Sequence, residues 1–274
     1  MITEFGNGPP LVLIPGIQGR WEYLRPAIDQ LARTFRVLTF PLSGEPHSGL
    51  SFDPSLALDN YTRQVRAALD RSGLDRAIVC GVSFGGLPAI RFAATCPERT
   101  RALVLVSTPG PGWHLRRRHR VYTLAPWLFG PLFVVESPFR LRPEILRALP
   151  DRRDRWAFVR GQLNALGRAP LSLSRMAARA NLIATADVRP DCAAIAAPAL
   201  IVTGERALDR VVDVDRTRVY LDLIKASRHV TIERTGHLGS ITRPDVFASL
   251  IRDFVADAGS GFSRSYPRDD RATA

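Results

Sequence analysis

Short apolar runs recur along this 274-residue chain, and segments with helical spacing separate them. Nearly continuous apolar character is typical of parallel strands that are buried on both faces of a sheet. The runs predicted to be such strands are Leu11–Ile14, Arg36–Phe40, Ala77–Val82, Arg101–Val106 and Ala199–Thr203. His229–Glu233 alternates more and is expected towards the sheet edge. Because these strands alternate with helices, we expect an α/β fold with a mostly parallel sheet and helices on both faces.

One long interval interrupts this alternation. More than 90 residues separate the strands at 101–106 and 199–203, which is far more than a crossover helix needs. Prolines in the interval predict short, broken helices; they are Pro126, Pro131, Pro138, Pro143, Pro150 and Pro170. We therefore expect a helical cap insertion at 112–168, a core made of 1–111 and 169–258, and a crossover helix that resumes at about 170–186. The polar tail at 259–274 is expected to be disordered.

The segment after the strand Ala77–Val82 contains Gly81-Val82-Ser83-Phe84-Gly85. A strand leads into this motif and an amphipathic helix leads out, as a G-x-S-x-G nucleophile elbow requires. The sharp turn strains the serine backbone and leaves its hydroxyl clear of neighbouring side chains. The alternative is a glycine-rich turn that contains a serine by chance. The strand–turn–helix context favours Ser83 as a nucleophile.

The chain resembles the α/β-hydrolase fold superfamily, in particular its small, cap-bearing, serine esterase-like members. That family carries its catalytic triad in the chain order serine, acid, histidine. His237 follows the last predicted strand within Arg234-Thr235-Gly236-His237-Leu238-Gly239. The resemblance implies that His237 is the general base and that the sheet is of the eight-stranded type. Of the other histidines, His114 and His119 lie in the basic cap segment, His229 begins a strand, and His47 precedes the nucleophile.

The resemblance implies that Asp209 is the triad acid, with Glu205 as the alternative. Asp209 precedes Val211-Val212 as the family's acid precedes its valine pair, but it stands five residues after Gly204, where the family's usual spacing is three. Glu205 is the alternative, and it could instead be a strand-end carboxylate bonded to nearby backbone. Some relatives carry the acid after the preceding strand, but the segment 107–111 contains no carboxylate here.

By resemblance, the oxyanion hole uses the backbone amides of Phe84 and Ile17. The family commonly has His-Gly in the first turn, where this chain has Pro15-Gly16, and an aspartate after the next strand, where it has Phe40-Pro41-Leu42. Both members of a mutually bonded polar pair are therefore missing, which can be nearly neutral when neither partner is left alone. We expect an intact oxyanion turn that is braced in a different way.

The cap is rich in aromatic and basic residues. The substrate pocket is expected to include Gln18, Trp113, Trp127, Leu128, Phe129, Phe133 and Leu238, although the cap aromatics could equally form the core of the cap. Between 110 and 168 there are 12 arginines against four acids, within a chain of net charge +12. Such a surface could attract anionic substrates, acidic lipids or nucleic acid, or it could be a solvated helical face.

The implied chemistry is acyl transfer to water through an acyl-enzyme, with no metal or organic cofactor. We expect a serine hydrolase of small or medium acyl esters. Lactonase, thioesterase, aminopeptidase, carbon–carbon bond hydrolase and cofactor-free perhydrolase activities use the same triad. A hydrolase-like ligand receptor with slow turnover and a basic binding module are further alternatives.

Several absences bear on location. The chain has no nucleic-acid motif, no apolar run of membrane-spanning length and no leader at Met1–Phe5. Its three cysteines are isolated, so we expect a cytoplasmic enzyme. The oligomeric state is open.

Overall fold

The computed structural model describes residues 1–115 and 117–259, without the side chains of 117–119. Apart from Gly259, the tail predicted to be disordered lies outside the described residues. The strands are β1 (Thr3–Phe5), β2 (Pro10–Ile14), β3 (Arg36–Thr39), β4 (Ala77–Val82), β5 (Thr100–Val106), β6 (Ala199–Thr203) and β7 (Ser227–Thr231). The predicted strands are thus present, with β7 beginning two residues earlier than expected.

These strands form one sheet in the order β1-β3-β2-β4-β5-β6-β7. All neighbours pair in parallel except β1, which runs antiparallel to β3. The mostly parallel fold class is confirmed, and β7 lies at the expected edge. The described residues supply seven strands rather than eight, because the segment before β2 forms a single short strand.

Helices cover both faces of the sheet. They are α1 (Arg25–Leu31), α2 (Asp59–Arg71), α3 (Gly86–Thr95), α4 (Arg117–Leu124), α5 (Pro126–Ala148), α6 (Arg152–Arg168), α7 (Leu173–Thr185), α8 (Arg189–Ala194), α9 (Val214–Arg218), α10 (Tyr220–Leu223), α11 (Gly239–Thr242) and α12 (Pro244–Gly259). Successive strand residues point to opposite faces. Val79 lies in the core covered by α2 and α3, whereas Ile78 lies in the core covered by α1 and α12.

The interval between β5 and β6 holds α4 to α8. The predicted break at every proline was wrong, because α5 runs for 23 residues through Pro131, Pro138 and Pro143. All three prolines lie on exposed parts of the helix. There, water can bond the carbonyl groups that a proline leaves without a donor, which lowers the cost of continuing the helix. The domain boundaries stay a prediction.

The buried strands place their carboxyl ends along one edge of the sheet, as parallel pairing requires. The loops after β4, β6 and β7 therefore meet at that edge, and these loops contain Ser83, Asp209 and His237. Within the described residues, none of the helices has both the length and the apolar character to cross a membrane.

Candidate active site

Ser83 occupies the sharp turn between β4 and α3. Its φ of 53° lies in the left-handed region, which is uncommon for a residue with a side chain. The chain turns so tightly that a Cβ on Gly81 would stand 2.3 Å from the carbonyl oxygen of Gly85. Glycine at position 81 is therefore required for the turn, and the turn holds Ser83 in a strained backbone conformation.

His237 reaches Ser83 from the loop between β7 and α11. The imidazole Nε2 lies 3.1 Å from Ser83 Oγ, which is within hydrogen-bond reach. The histidine side chain is 13% exposed, so water reaches only part of the ring. The structure thus brings together the first two residues that the sequence singled out.

Asp209 approaches the other ring nitrogen of His237. Its Oδ2 lies 3.5 Å from Nδ1, and its side chain is 1% exposed. The amides of Val211 and Val212 donate to its Oδ1 at 2.9 and 2.8 Å, which fixes the carboxylate. These bonds give a physical reason for an acid just ahead of a valine pair.

The unusual spacing between Gly204 and Asp209 is absorbed by a helical turn. The amides of Leu208 and Asp209 both donate to the carbonyl of Glu205, at 3.0 Å each. The two additional residues therefore form part of a helical turn, and Asp209 stays close to His237. Glu205 itself accepts a hydrogen bond from the backbone amide of Arg234 at 2.5 Å. Of the two candidate acids, only Asp209 is brought to the imidazole.

Buried charges shift the pKa values at this cluster. Burial of His237 lowers its pKa, but the carboxylates of Asp209 and Glu144 outweigh that effect and raise it overall. Burial likewise raises the pKa of Asp209, but the imidazole of His237 and the two valine amides lower it below its usual range. Asp209 is therefore an anion at neutral pH, and it favours the protonated form of the imidazole.

The turn after β2 passes beside Ser83. A Cβ on Gly16 would stand 3.5 Å from the Cβ of Ser83. The next residue, Ile17, has its carbonyl oxygen bonded by Arg179 Nη1 at 3.0 Å. Arg179 comes from α7 and pairs with Glu45 at 2.7 Å, and both side chains are almost fully buried. This buried pair braces the turn where the family's usual polar pair is missing.

Glu144 is the residue near the histidine that sequence reasoning missed. It lies on α5 and is 1% exposed. Its Oε1 accepts the backbone amides of Gly236 and Leu238, at 2.7 and 2.6 Å. In the sequence, Glu144 is one acid among many arginines, and nothing in the pattern tells it from a solvated surface glutamate. Arg179 and Glu45 were missed for the same reason.

A cavity of about 400 Å³ lies beside the acid. Its lining residues are Trp113, His114, Arg206, Asp209, Arg210, Val211, Val212, Asp213, Val214 and Arg216. Trp113 and Asp209 are thus next to open space, but Ser83 and His237 are not among the lining residues. The cavity therefore has room for part of a molecule near the acid, although it does not extend to the hydroxyl of Ser83.

The other expected pocket residues lie in varied positions. Trp127 and Leu128 are 76% and 53% exposed on α5, and neither lines the cavity. Phe133 is half-buried, and its ring contacts Tyr122 and the guanidinium of Arg140.

Phe129, Leu238 and Gln18 are half-buried. Gln18 lies near Gly16, since its Oε1 would stand 3.2 Å from a Cβ added there. The pocket role of all these residues stays a prediction. Among the described residues, no cluster of three or more His, Cys, Asp or Glu side chains could hold a metal ion.

Known proteins share this architecture. A family model described as the alpha/beta hydrolase fold matches residues 9–132. The pimeloyl-(acyl-carrier protein) methyl ester esterase of Aeromonas hydrophila is 28% identical over 261 residues, covering 93% of this chain and 98% of that protein. The 2-hydroxy-6-oxo-6-phenylhexa-2,4-dienoate hydrolase of Burkholderia cepacia is 27% identical over 276 residues, covering 93% and 91%. The enol-lactonase from Burkholderia xenovorans LB400 has a TM-score of 0.75 at 22% identity, covering 93% and 96%.

The strand order, the turn at Ser83 and these matches define the class. The chain has the α/β-hydrolase fold. The two sequence relatives are named as an esterase and a hydrolase.

Proposed function

We propose that the protein is a serine hydrolase that cleaves small or medium acyl esters, or related carbonyl substrates, through an acyl-enzyme. The observation that carries this proposal is the 3.1 Å approach of His237 Nε2 to the hydroxyl oxygen of Ser83. A serine on a strained elbow with a histidine in reach is the arrangement that activates a hydroxyl group as a nucleophile. Asp209 is the third member of the proposed triad.

In this mechanism, His237 accepts the proton of Ser83 as Oγ attacks the substrate carbonyl. The imidazolium that forms is stabilised by the buried carboxylate of Asp209. The separation of 3.5 Å between these two groups is long for a hydrogen bond, so the mechanism requires the carboxylate and the ring to move closer as the ring becomes charged. His237 then returns the proton to the leaving group, and the acyl-enzyme remains on Ser83.

The negative charge on the attacked oxygen is held by backbone amides. Phe84 supplies one amide from the elbow, and Ile17 supplies the other from the turn braced by Arg179. Water then attacks the acyl-enzyme with His237 as the base, and the same amides stabilise the second tetrahedral intermediate. No step of this mechanism requires a metal or an organic cofactor.

Carbon–carbon bond hydrolysis and lactone hydrolysis use the same residues. The relatives whose names carry these activities are similar to this chain at 27% and 22% identity, respectively. Because the pocket and not the fold sets the substrate, the ester assignment is the general case for this triad. The three cysteines are all buried thiols, in keeping with the cytoplasmic location inferred from the sequence.

A panel of chromogenic esters with graded acyl chains, together with one lactone and one vinylogous β-diketone, tests the proposal. We expect turnover of at least one ester and a loss of about 10⁴–10⁶-fold in kcat for Ser83→Ala. Ser249→Ala on α12 is the matched control and should keep wild-type kcat. Binding of these compounds without turnover would instead support the hydrolase-like receptor.

A further inference from the structure

Glu144 binds the two amides that lie on either side of His237. Gly236 N and Leu238 N both point to the same oxygen, Oε1, at 2.7 and 2.6 Å. The planar peptide unit of Leu238 N includes the Cα of His237, and that of Gly236 N ends one residue before His237, so the two bonds restrict the backbone on both sides of the histidine. The position from which the imidazole extends is therefore set by a side chain of α5.

A second contact joins the same two elements. Arg234 Nη2 donates to the carbonyl of Arg147 at 3.2 Å, in the last turn of α5. The loop between β7 and α11, called the histidine loop below, is thus bonded to the end of α5 both before and after Gly236. The residues of α5 lie about 90 positions earlier in the chain, so these contacts connect the helical interval after β5 with the loop after β7.

A space-filling role does not explain a carboxylate at this position. The Oε2 atom of Glu144 is buried and has no hydrogen-bond partner among the described residues. Burying a charged group costs free energy unless it is well bonded, and an apolar side chain of similar volume would avoid that cost. What a leucine could not do is accept the two amides beside His237.

We propose that Glu144 is a positioning residue for His237, which fixes the backbone on both sides of the histidine so that Nε2 stays in reach of Ser83. This inference rests on the proposed function, in which His237 is the catalytic base. Glu144 contacts neither the substrate nor the reacting atoms. It makes the geometry of the base depend on the placement of α5.

The electrostatic surroundings agree with this assignment. The pKa of Glu144 is raised to about 7. Burial is the largest cause, and the carboxylate of Asp209 acts in the same direction. The amides of Leu238 and Gly236 and the imidazole of His237 oppose this rise. Glu144 in turn raises the pKa of His237, and Arg140 lowers it. Removing the charge of Glu144 should therefore lower the pKa of the base, whereas moving the acceptor oxygen should misplace the base.

Two conservative variants separate position from charge. Glu144→Gln keeps an acceptor oxygen at the same reach without the charge, and Glu144→Asp keeps the charge but withdraws the oxygens by one methylene. We expect Glu144→Gln to retain kcat within about threefold and to move the acidic limb of the pH profile of kcat/KM to lower pH. We expect Glu144→Asp to lose about 10²-fold in kcat with little change in KM, because a base displaced by about 1 Å loses activity on that order. Glu136→Gln and Glu136→Asp on the same helix are the matched controls.

Amide hydrogen exchange gives a readout that needs no turnover. Gly236 and Leu238 should exchange slowly in the wild type and in Glu144→Gln, and faster in Glu144→Asp. The inference is overturned if Glu144→Asp keeps wild-type kcat, if Glu144→Gln is as impaired as Glu144→Asp, or if exchange at the two amides is the same in all three proteins. If the wild type hydrolyses no ester, the proposed function fails, and the exchange comparison alone decides whether Glu144 holds the loop.

Discussion

Asp209 and Glu205 are carboxylates of one turn that bind different parts of the histidine loop. Asp209 faces the ring of His237, whereas Glu205 accepts the backbone amide of Arg234. Glu205 therefore supports the loop without touching the imidazole. The sequence favoured Asp209 through the valine pair that follows it, but it could not explain the additional spacing, because the helical turn that absorbs it carries no motif of its own.

Asp209→Asn should lower kcat by about 10⁴-fold, because the neutral amide neither stabilises the imidazolium nor holds its usual tautomer. Glu205→Gln keeps an oxygen for the amide of Arg234, so kcat should fall less than tenfold. Steady-state hydrolysis of one ester by both variants measures this ranking. The reverse order would transfer the role of the acid to Glu205.

The pKa of Glu144 makes a prediction about stability. Burial raises this pKa to about 7 from an ordinary value of 4.5. Between these two values the folded protein binds more protons than the unfolded chain, so this carboxyl makes the protein less stable as pH rises through that window. Glu144→Gln does not titrate there. Its free energy of unfolding relative to wild type should therefore increase between pH 5 and pH 8, by an amount on the order of 3 kcal/mol.

Urea denaturation at the two pH values measures that difference. Because the carboxylate of Glu144 also raises the pKa of His237, the difference between the two proteins reports Glu144 together with its coupling to the imidazole. Asp209 has a lowered pKa and titrates below the window. A constant difference between wild type and Glu144→Gln would mean that the carboxyl has the same pKa in the folded and unfolded protein.

At the scale of elements, the strands were easier to predict than the helices between β5 and β6. β4 and β6 have the predicted bounds, because apolar runs of that length have one favourable environment, the centre of the sheet. The course of α5 was predicted wrongly, since the effect of an internal proline depends on whether water reaches the carbonyl group it leaves free. That exposure is a property of the folded molecule.

The contact between α7 and the turn after β2 gives a prediction at the same scale. Arg179→Met leaves the buried carboxylate of Glu45 without its main partner, which should cost about 3–5 kcal/mol of stability. It also removes the bond to the carbonyl of Ile17, so kcat should fall while KM changes little.

Two matched variants complete that experiment. Arg175 also faces Glu45, but its side chain is 43% exposed and 3.6 Å away, so Arg175→Met should cost at most about 1 kcal/mol. Arg179→Met combined with Glu45→Gln should regain part of the stability without regaining kcat. If Arg179→Met is no less stable than Arg175→Met, the buried pair does not brace the turn.

In the whole molecule, two groups of arginines differ in their position relative to the cavity. Exposed arginines between 140 and 168 lie on the surfaces of α5 and α6; they are Arg142, Arg147, Arg152, Arg153, Arg160 and Arg168. The cavity beside Asp209 is lined instead by Arg206, Arg210 and Arg216. We therefore expect the cavity, rather than the α5 and α6 surface, to favour substrates that carry a negative charge.

For an ester with a distal carboxylate, kcat/KM should decrease as salt rises, because ions screen exposed charges over about 10 Å at 0.1 M and about 3 Å at 1 M. A neutral ester of equal length should show little change. Arg210→Gln should reduce the salt dependence, whereas Arg160→Gln on α6 should leave it unchanged. Equal salt responses of the two esters in the wild type would mean that the cavity arginines do not attract the substrate.

Covalent labelling tests whether Ser83 is the nucleophile. A fluorophosphonate should form a single adduct on the peptide that contains Ser83, as read by mass spectrometry, because the elbow exposes this hydroxyl to the base. Labelling should disappear in Ser83→Ala and should slow strongly in His237→Ala. An adduct on any other residue, or full ester hydrolysis by Ser83→Ala, would show that Ser83 is not the nucleophile.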